Sequence, residues 1–156
     1  MRYYEQLQHI VNAYISAGGK WPATTKEIAG WGIQKGLWKP RGSDLIDVFA
    51  DQLARAMREE YLIDPQGRHI RSKHAIRTKQ GGTQTALWAD IRTASRQHME
   101  IAFKQRRQQI VGDCKQLKLD VDSYNENENS GKPIQMVFDF THDLIEAELA
   151  SSHPIS

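Results

Sequence analysis

ATTKEIAGWGIQKGLW, residues 23–38, decides the fold of the first half of this chain. Thr24 and Glu27 have the spacing of a capping box, in which the two side chains bind free backbone N–H groups at the start of a helix. The helix is predicted to run from about Thr25 to Gly36, since glycine is a typical C-terminal stop. The residues predicted to face inward are Ile28, Ala29 and Ile33.

The segments on either side of this helix are also predicted to be helical. Before it, apolar residues recur at helical spacing over residues 3–17, and Gly18 ends the pattern. After it, the proline and glycine of residues 37–42 predict a turn, and Ser43 is a typical N-cap for a third helix. The apolar face predicted for that helix consists of Leu45, Val48, Phe49, Leu53, Ala56 and Met57.

A β-hairpin is predicted directly after the third helix. Residues 61–63 are β-prone, residues 64–67 have the composition of a turn, and a return strand begins at Arg68. Helices followed by a hairpin in this order, with the Thr-x-x-Glu-Ile-Ala run at Thr24, resemble the helix-turn-helix of winged-helix DNA-binding domains. The Gly36-Leu37-Trp38 turn is also faintly similar to the HARE-HTH variant of chromatin- and polymerase-associated proteins. The alternative is a small helical domain whose hairpin makes protein contacts.

The second half is predicted to contain a long helix. Residues 80–83 have the composition of a loop, and residues 85–91 fit either a short strand or the start of a helix. From about residue 95 to 124, a seven-residue apolar recurrence predicts a coiled-coil stripe and therefore a homodimer. The stripe consists of Phe103, Ile110, Leu117 and Tyr124, with Cys114 and Val121 between them.

The predicted fold class is therefore mainly α with a small β wing. A winged helix-turn-helix domain over residues 1–80 precedes a connecting segment and long helix over residues 81–128. Residues 129–156 form an acidic tail with a short strand or docking peptide and a helix.

Charge is distributed unevenly along the chain. Residues 66–108 hold 10 Lys/Arg against 2 Asp/Glu, whereas residues 120–148 hold 1 Lys against 8 acids. This distribution indicates a polyanion-binding middle, and with the helix-turn-helix it predicts a regulatory or accessory protein that binds duplex DNA. A solvated basic helix face is the alternative for the charge alone. The predicted DNA-binding residues are Lys39, Arg41, Arg55, Arg58, Arg68, Arg71, Lys73, Arg77 and Lys79.

The start of the third helix is excluded from this predicted DNA contact surface. A recognition helix places its N-terminal residues at base edges, but here those residues include Asp44, Asp47 and Asp51, which phosphates repel. Contacts are therefore expected from the basic residues that flank the helix and from the hairpin, where they bind the DNA backbone.

A short apolar motif follows the polar stretch of residues 125–133. It is similar to the Gln-Leu-x-Leu-x-Leu/Phe peptides that dock on the bacterial sliding clamp, which implies a partner-binding role for its Gln and apolar residues. The alternatives are an ordinary strand and an anchor that packs on the long helix. The residues concerned are Gln135, Met136, Phe138 and Phe140.

Several function classes find no support in the sequence. No phosphate-binding glycine loop, nucleophile elbow or Cys-x-x-Cys pair is present, so we expect no enzyme, no metal and no cofactor. No apolar run is long enough to span a membrane, and the single Cys114 fits a reducing compartment, so a cytoplasmic, nucleoid-associated protein is expected. A protein-interaction adaptor built on a winged-helix scaffold is the alternative function.

Overall fold

The computed structural model describes residues 3–152, except the side chains of Gln80 and Ser152. The protein is mainly helical with a small antiparallel β part and one long helix, as predicted in outline. It divides into two compact units, Met1–Met57 and Arg58–Ser156. The elements in chain order are α1 Tyr3–Ser16, α2 Thr25–Gln34, α3 Gly42–Arg58, β1 Tyr61–Ile63, β2 His69–Arg71, β3 Lys73–Gln80, β4 Thr83–Asp90, α4 Arg96–Asn127 and α5 Thr141–Ser152.

The ends of α2 are formed by the residues that the sequence indicated. The Oγ1 atom of Thr24 accepts a hydrogen bond from the Glu27 N–H at 3.1 Å. At the other end, Gly36 has a φ of 70°, and the Leu37 N–H donates to the Gly32 carbonyl at 2.9 Å. This left-handed C-terminal turn favours glycine because it has no Cβ. Both predicted ends of α2 are confirmed.

The first unit has a small core between α1 and α2. Tyr14 is 6% exposed, donates its hydroxyl to the Lys20 carbonyl at 2.8 Å and meets the edge of the Trp31 ring. Ile28 is buried on the facing side. Ala29 is exposed and Ile33 is 57% exposed, so the inward positions predicted for these two residues are wrong. Trp31 and Gly32 take the inward positions beside Ile28, which turns Ile33 towards solvent.

Helix α3 is amphipathic but is not packed. The predicted N-cap Ser43 is wrong, because the helix already begins at Gly42 and Ser43 lies inside it. At this end Asp44 accepts a hydrogen bond from the Arg41 N–H at 2.9 Å. Within the described residues, α3 buries none of its side chains, and Leu45 and Phe49 of its apolar face are 65% and 61% exposed. The apolar periodicity of α3 therefore predicts the helix but not an intramolecular partner, and the winged helix stays a prediction.

The second unit begins with two antiparallel hairpins. In the first, β1 pairs with β2 from Tyr61 opposite Arg71 to Ile63 opposite His69. In the second, the eight residues of β3 pair with all eight of β4. The connection is Gly81-Gly82, with φ angles of 58° and 81°, which is the two-residue turn that matches the twist of paired strands. The predicted loop at 80–83 is thus a hairpin turn, and residues 85–90 of the segment predicted as strand or helix belong to a strand, which ends before Ile91.

Helix α4 packs against β3 through its N-terminal third. Ala102 has no exposed surface, and the Phe103 ring meets the edge of the His74 ring at 5.4 Å between centroids. The side chain of Gln105 binds both backbone groups of Arg77: it accepts from the N–H at 2.7 Å and donates to the carbonyl at 3.1 Å. These bonds satisfy the outer backbone groups of β3 at this position.

The chain turns back after α4 through a network of asparagines. Asn125 donates to the carbonyl of Ile134 and accepts from its N–H, so residues 126–133 form a closed loop. Asn129 accepts from the Gly131 N–H and donates to the Lys132 carbonyl. The structure assigns no strand to residues 134–140, and the predicted acidic helix is present as α5.

Candidate nucleic-acid interface

A basic cleft lies between the β3–β4 hairpin and α4. It has a volume of about 370 Å³ and is lined on one side by strand residues and on the other by α4. The side chains that bring positive charge to it come from α3, β2, β3 and α4. We call the four arginines at this place the cleft arginines: Arg58, Arg71, Arg77 and Arg106.

The cleft arginines form no ion pair with any carboxylate of the described residues. The guanidinium of Arg58 lies 5.9 Å from the centroid of the Trp88 ring, in cation–π geometry. Arg77 donates to the amide oxygen of Gln109 at 3.2 Å. A ring face or a neutral amide orients a guanidinium without cancelling its charge, so these groups keep their attraction for anions. Asp113 is the acidic residue on the cleft wall.

Neighbouring groups partly desolvate the Arg106 guanidinium, although the residue as a whole is exposed. Desolvation, followed by repulsion from Arg71, lowers the pKa of Arg106. The side chain stays protonated at neutral pH because an arginine begins from a very high value. Two guanidiniums near one another without an acidic partner are an arrangement that a bound anion would stabilise.

Other basic residues of the predicted DNA-binding set are held by carboxylates. Arg41 pairs with Asp44 at 3.2 Å, and Arg68 pairs with Asp64 at 2.8 Å. The backbone N–H of Arg68, and then its side chain, lower the pKa of Asp64, which keeps this partner ionised. These arginines are engaged on the surface, which reduces their pull on an external phosphate.

Lys73 is similarly engaged. Its Nζ lies 3.1 Å from Asp90 and 3.2 Å from Glu60, and Asp90 first of all raises the pKa of the lysine. Asp90 also binds Arg92 at 2.7 Å, and the pKa of this carboxyl lies well below its usual range, mainly because Arg92 donates to it. Lys73 therefore lines the cleft, but its positive charge is already paired with carboxylates.

The structure distributes the nine predicted DNA-binding residues among several places. Lys39 and Arg55 are exposed in the first unit. Arg58, Arg71, Lys73 and Arg77 are brought together at the cleft. Lys79 lines a neighbouring cavity with four glutamines, Gln84, Gln105, Gln108 and Gln109.

Some residues of the cleft are absent from the predicted set. Gln105, Arg106 and Gln109 recur at helical spacing from Ala102 along one face of α4. That periodicity is visible in the sequence, but it becomes informative only once Ala102 is known to face the hairpin. Trp88 of β4 also lines the cleft.

The predicted docking motif presents much of its apolar surface to solvent. Met136 and Phe140 are 50% and 41% exposed, and Val137 is 80% exposed. Phe138 is half-buried, and its ring meets the edge of the Phe140 ring. The asparagine network at Asn125 anchors the beginning of this segment.

No protein family, curated protein or solved structure matches the chain. Among residues 3–152, no helix combines the length and apolar character needed to cross a membrane. The same part of the chain holds no group of three or more His, Cys, Asp or Glu side chains suited to a metal ion.

Proposed function

We propose that the protein binds duplex DNA through the basic cleft of its second unit. The observation that carries this proposal is the convergence of the four cleft arginines, none of which pairs with a carboxylate within residues 3–152. Guanidinium groups bind phosphate oxygens in a bidentate manner, and such contacts supply most of the affinity for a nucleic-acid backbone. The contacts position the protein on the duplex and carry no base sequence information themselves.

A matched pair of triple variants tests this proposal. Arg71, Arg77 and Arg106 are replaced together with Ala in one variant, and Arg41, Arg68 and Arg92 in the control. Both lose three positive charges, but the control removes arginines that are paired with aspartates. Duplex titration at several salt concentrations should show a salt slope lower by up to about three in the cleft variant.

The control variant should keep most of the wild-type affinity and slope. Equal losses in both variants would show that only net charge matters and would contradict the cleft. A single-stranded DNA and an RNA duplex of equal length serve as competitors, and preference for either would replace duplex DNA as the ligand.

The helix-turn-helix part of the proposal rests on the first unit. Its support is the order α1, α2, α3 and hairpin, together with the Thr24 cap that opens α2. The exposed basic residues Lys39 and Arg55 would add backbone contacts there. Ala at both positions should lower duplex affinity less than the cleft variant does, because it removes two charges rather than three.

We also propose a homodimer through the C-terminal part of α4. Phe103, whose ring contacts His74, is 49% exposed, and Ile110, Leu117 and Tyr124 are 56%, 42% and 47% exposed. Leu117→Asp would place a charge in the seam and should give monomers in sedimentation. A parallel seam also places the two Cys114 residues opposite one another, so mild oxidation should crosslink the wild type. A wild type that is monomeric at micromolar concentration contradicts the dimer.

A protein-interaction adaptor is the second candidate function. The observation that favours it is the exposure of Met136, Val137 and Phe140 in a segment without regular structure. We propose a sliding clamp as the partner. Deletion of residues 130–156 should abolish clamp capture and leave melting unchanged. A lower melting temperature together with no clamp binding by the full chain would make this segment structural.

A further inference from the structure

Three side chains from three elements meet where two cavities adjoin. Arg71 of β2, His74 of β3 and Arg106 of α4 each line the basic cleft and also a second cavity of about 350 Å³. The second cavity is otherwise lined by Tyr61, His69, Ile70, Ile91 and Phe103. None of the described residues that line it is acidic, so the wall that these three side chains share is cationic.

His74 has an unusual place in this wall. It is 4% exposed, and its Nε2 lies 2.8 Å from the carbonyl oxygen of Arg71. Because a carbonyl only accepts, Nε2 carries a hydrogen and Nδ1 of the neutral ring holds a lone pair. Nδ1 is buried and has no hydrogen-bond partner among the described residues. A buried polar atom without a partner in a native structure indicates a function or a ligand.

The surroundings of His74 oppose its protonation in the absence of an anion. Burial lowers the pKa of His74 below its ordinary 6.5, and the positive charges of Arg106, Arg71 and His98 lower it further, against the hydrogen bond to the Arg71 carbonyl. His98 donates to the His74 carbonyl, and the Phe103 ring packs against the imidazole in a T-shaped arrangement. An anion at this wall would offset the repulsion and allow Nδ1 to become a donor.

We propose that Arg71, His74 and Arg106 form a subsite for one phosphate group, which binds together with a proton at His74 Nδ1. The phosphate would accept hydrogen bonds from both guanidiniums and from the protonated imidazole. This subsite deepens the proposed DNA-binding function, because a backbone phosphate of the duplex is the ligand that it takes within the cleft. Binding of the duplex is then tighter at lower pH.

The test follows the His74 imidazole by NMR during pH titrations of the full chain. Inorganic phosphate, and separately a DNA duplex without terminal phosphates, are compared with sodium chloride at equal ionic strength. Both should move the titration midpoint of His74 to higher pH. By linkage, duplex affinity should rise about tenfold for each pH unit of that movement over the titration range. An unchanged midpoint with both ligands overturns the proposal.

Two variants keep the result interpretable. Arg106→Gln alters an exposed helical position and should remove the ligand-dependent movement of the His74 midpoint. Lys104→Gln, exposed on the same helix outside both cavities, should leave it intact. If the ligand moves the His74 midpoint equally in the Arg106→Gln variant and in the wild type, the subsite is contradicted.

The experiments can contradict DNA binding and the phosphate subsite independently of one another. Movement of the midpoint with inorganic phosphate but no binding of any duplex would support the subsite and contradict DNA binding. Duplex binding that depends on the cleft arginines, with a His74 midpoint unmoved by either ligand, would support the function and contradict the subsite.

Discussion

The two hairpins of the second unit share antiparallel pairing and basic residues, but they hold their arginines differently. In β1–β2, Asp64 at the turn binds both the backbone N–H and the guanidinium of Arg68. In β3–β4, Arg77 is held by the amides of Gln105 and Gln109. A carboxylate cancels the charge it orients, whereas an amide does not. The number of basic residues in a segment is therefore a poor guide to where an anion binds.

The second hairpin also depends on α4, while the first is closed by its own turn. The strands β1 and β2 have three residues each, and the Asp64 N–H donates to the Arg68 carbonyl across the turn. The eight-residue strands of the second hairpin are covered on the β3 side by Ala102 and Gln105 of α4. Three sets of variants test this comparison.

The largest effect is expected from Ala102→Asp. This change places a carboxylate at a site with no exposed surface, which should cost several kcal/mol of stability. Hydrogen exchange should show that β3–β4 loses protection before the turn at Asp64 does. Gln108→Asp makes the same charge change at an exposed position of α4 and should melt close to the wild type. Equal loss of protection in both hairpins would contradict the separate support of β3–β4.

Turn glycines give an intermediate effect. Gly82 and Gly67 have φ angles of 81° and 84°, and nothing lies within 4 Å of a Cβ built at either position. Alanine should therefore cost about 1–2 kcal/mol at each turn through backbone conformation alone. Urea unfolding measures this cost, and duplex titration should show weaker binding for Gly82→Ala only. Weaker binding for Gly67→Ala would place the first hairpin in the DNA contact.

The smallest effect is expected from Asp64→Asn. This change replaces the carboxylate that holds Arg68 with an amide, the kind of group that holds Arg77 in the second hairpin. Asparagine keeps the oxygen that accepts from the Gln66 and Arg68 N–H groups, but it removes the charge that engages the guanidinium. Duplex binding should tighten a few-fold at low salt, with a salt slope greater by up to about 0.9. Asp122→Asn, which releases Lys118 on α4, is the control for net charge. Equal tightening in the two variants would contradict a specific role for Arg68.

Local features of the fold were predictable from sequence. Thr24 caps α2 and Gly36 ends it because both act on neighbouring backbone groups. The Gly81-Gly82 hairpin was missed, although two glycines between β-prone residues are a recognised signal for a two-residue turn. The predicted position of Ile33 was wrong because α2 packs on α1 over only a narrow face. Apolar periodicity gives the direction of such a face only approximately.

The sequence by itself determined the helices, the turn glycines and the concentration of positive charge in residues 66–108. These depend on residue type and on neighbours a few positions away. Only the tertiary structure decided which charges are free. Arg68 and Lys73 meet carboxylates, while Arg71 and Arg106, 35 positions apart in the chain, come together and pair with no carboxylate of the part that the structure describes. Electrostatic pairing acts through space, so it is decided by the packing of α4 on the hairpin and not by order along the chain.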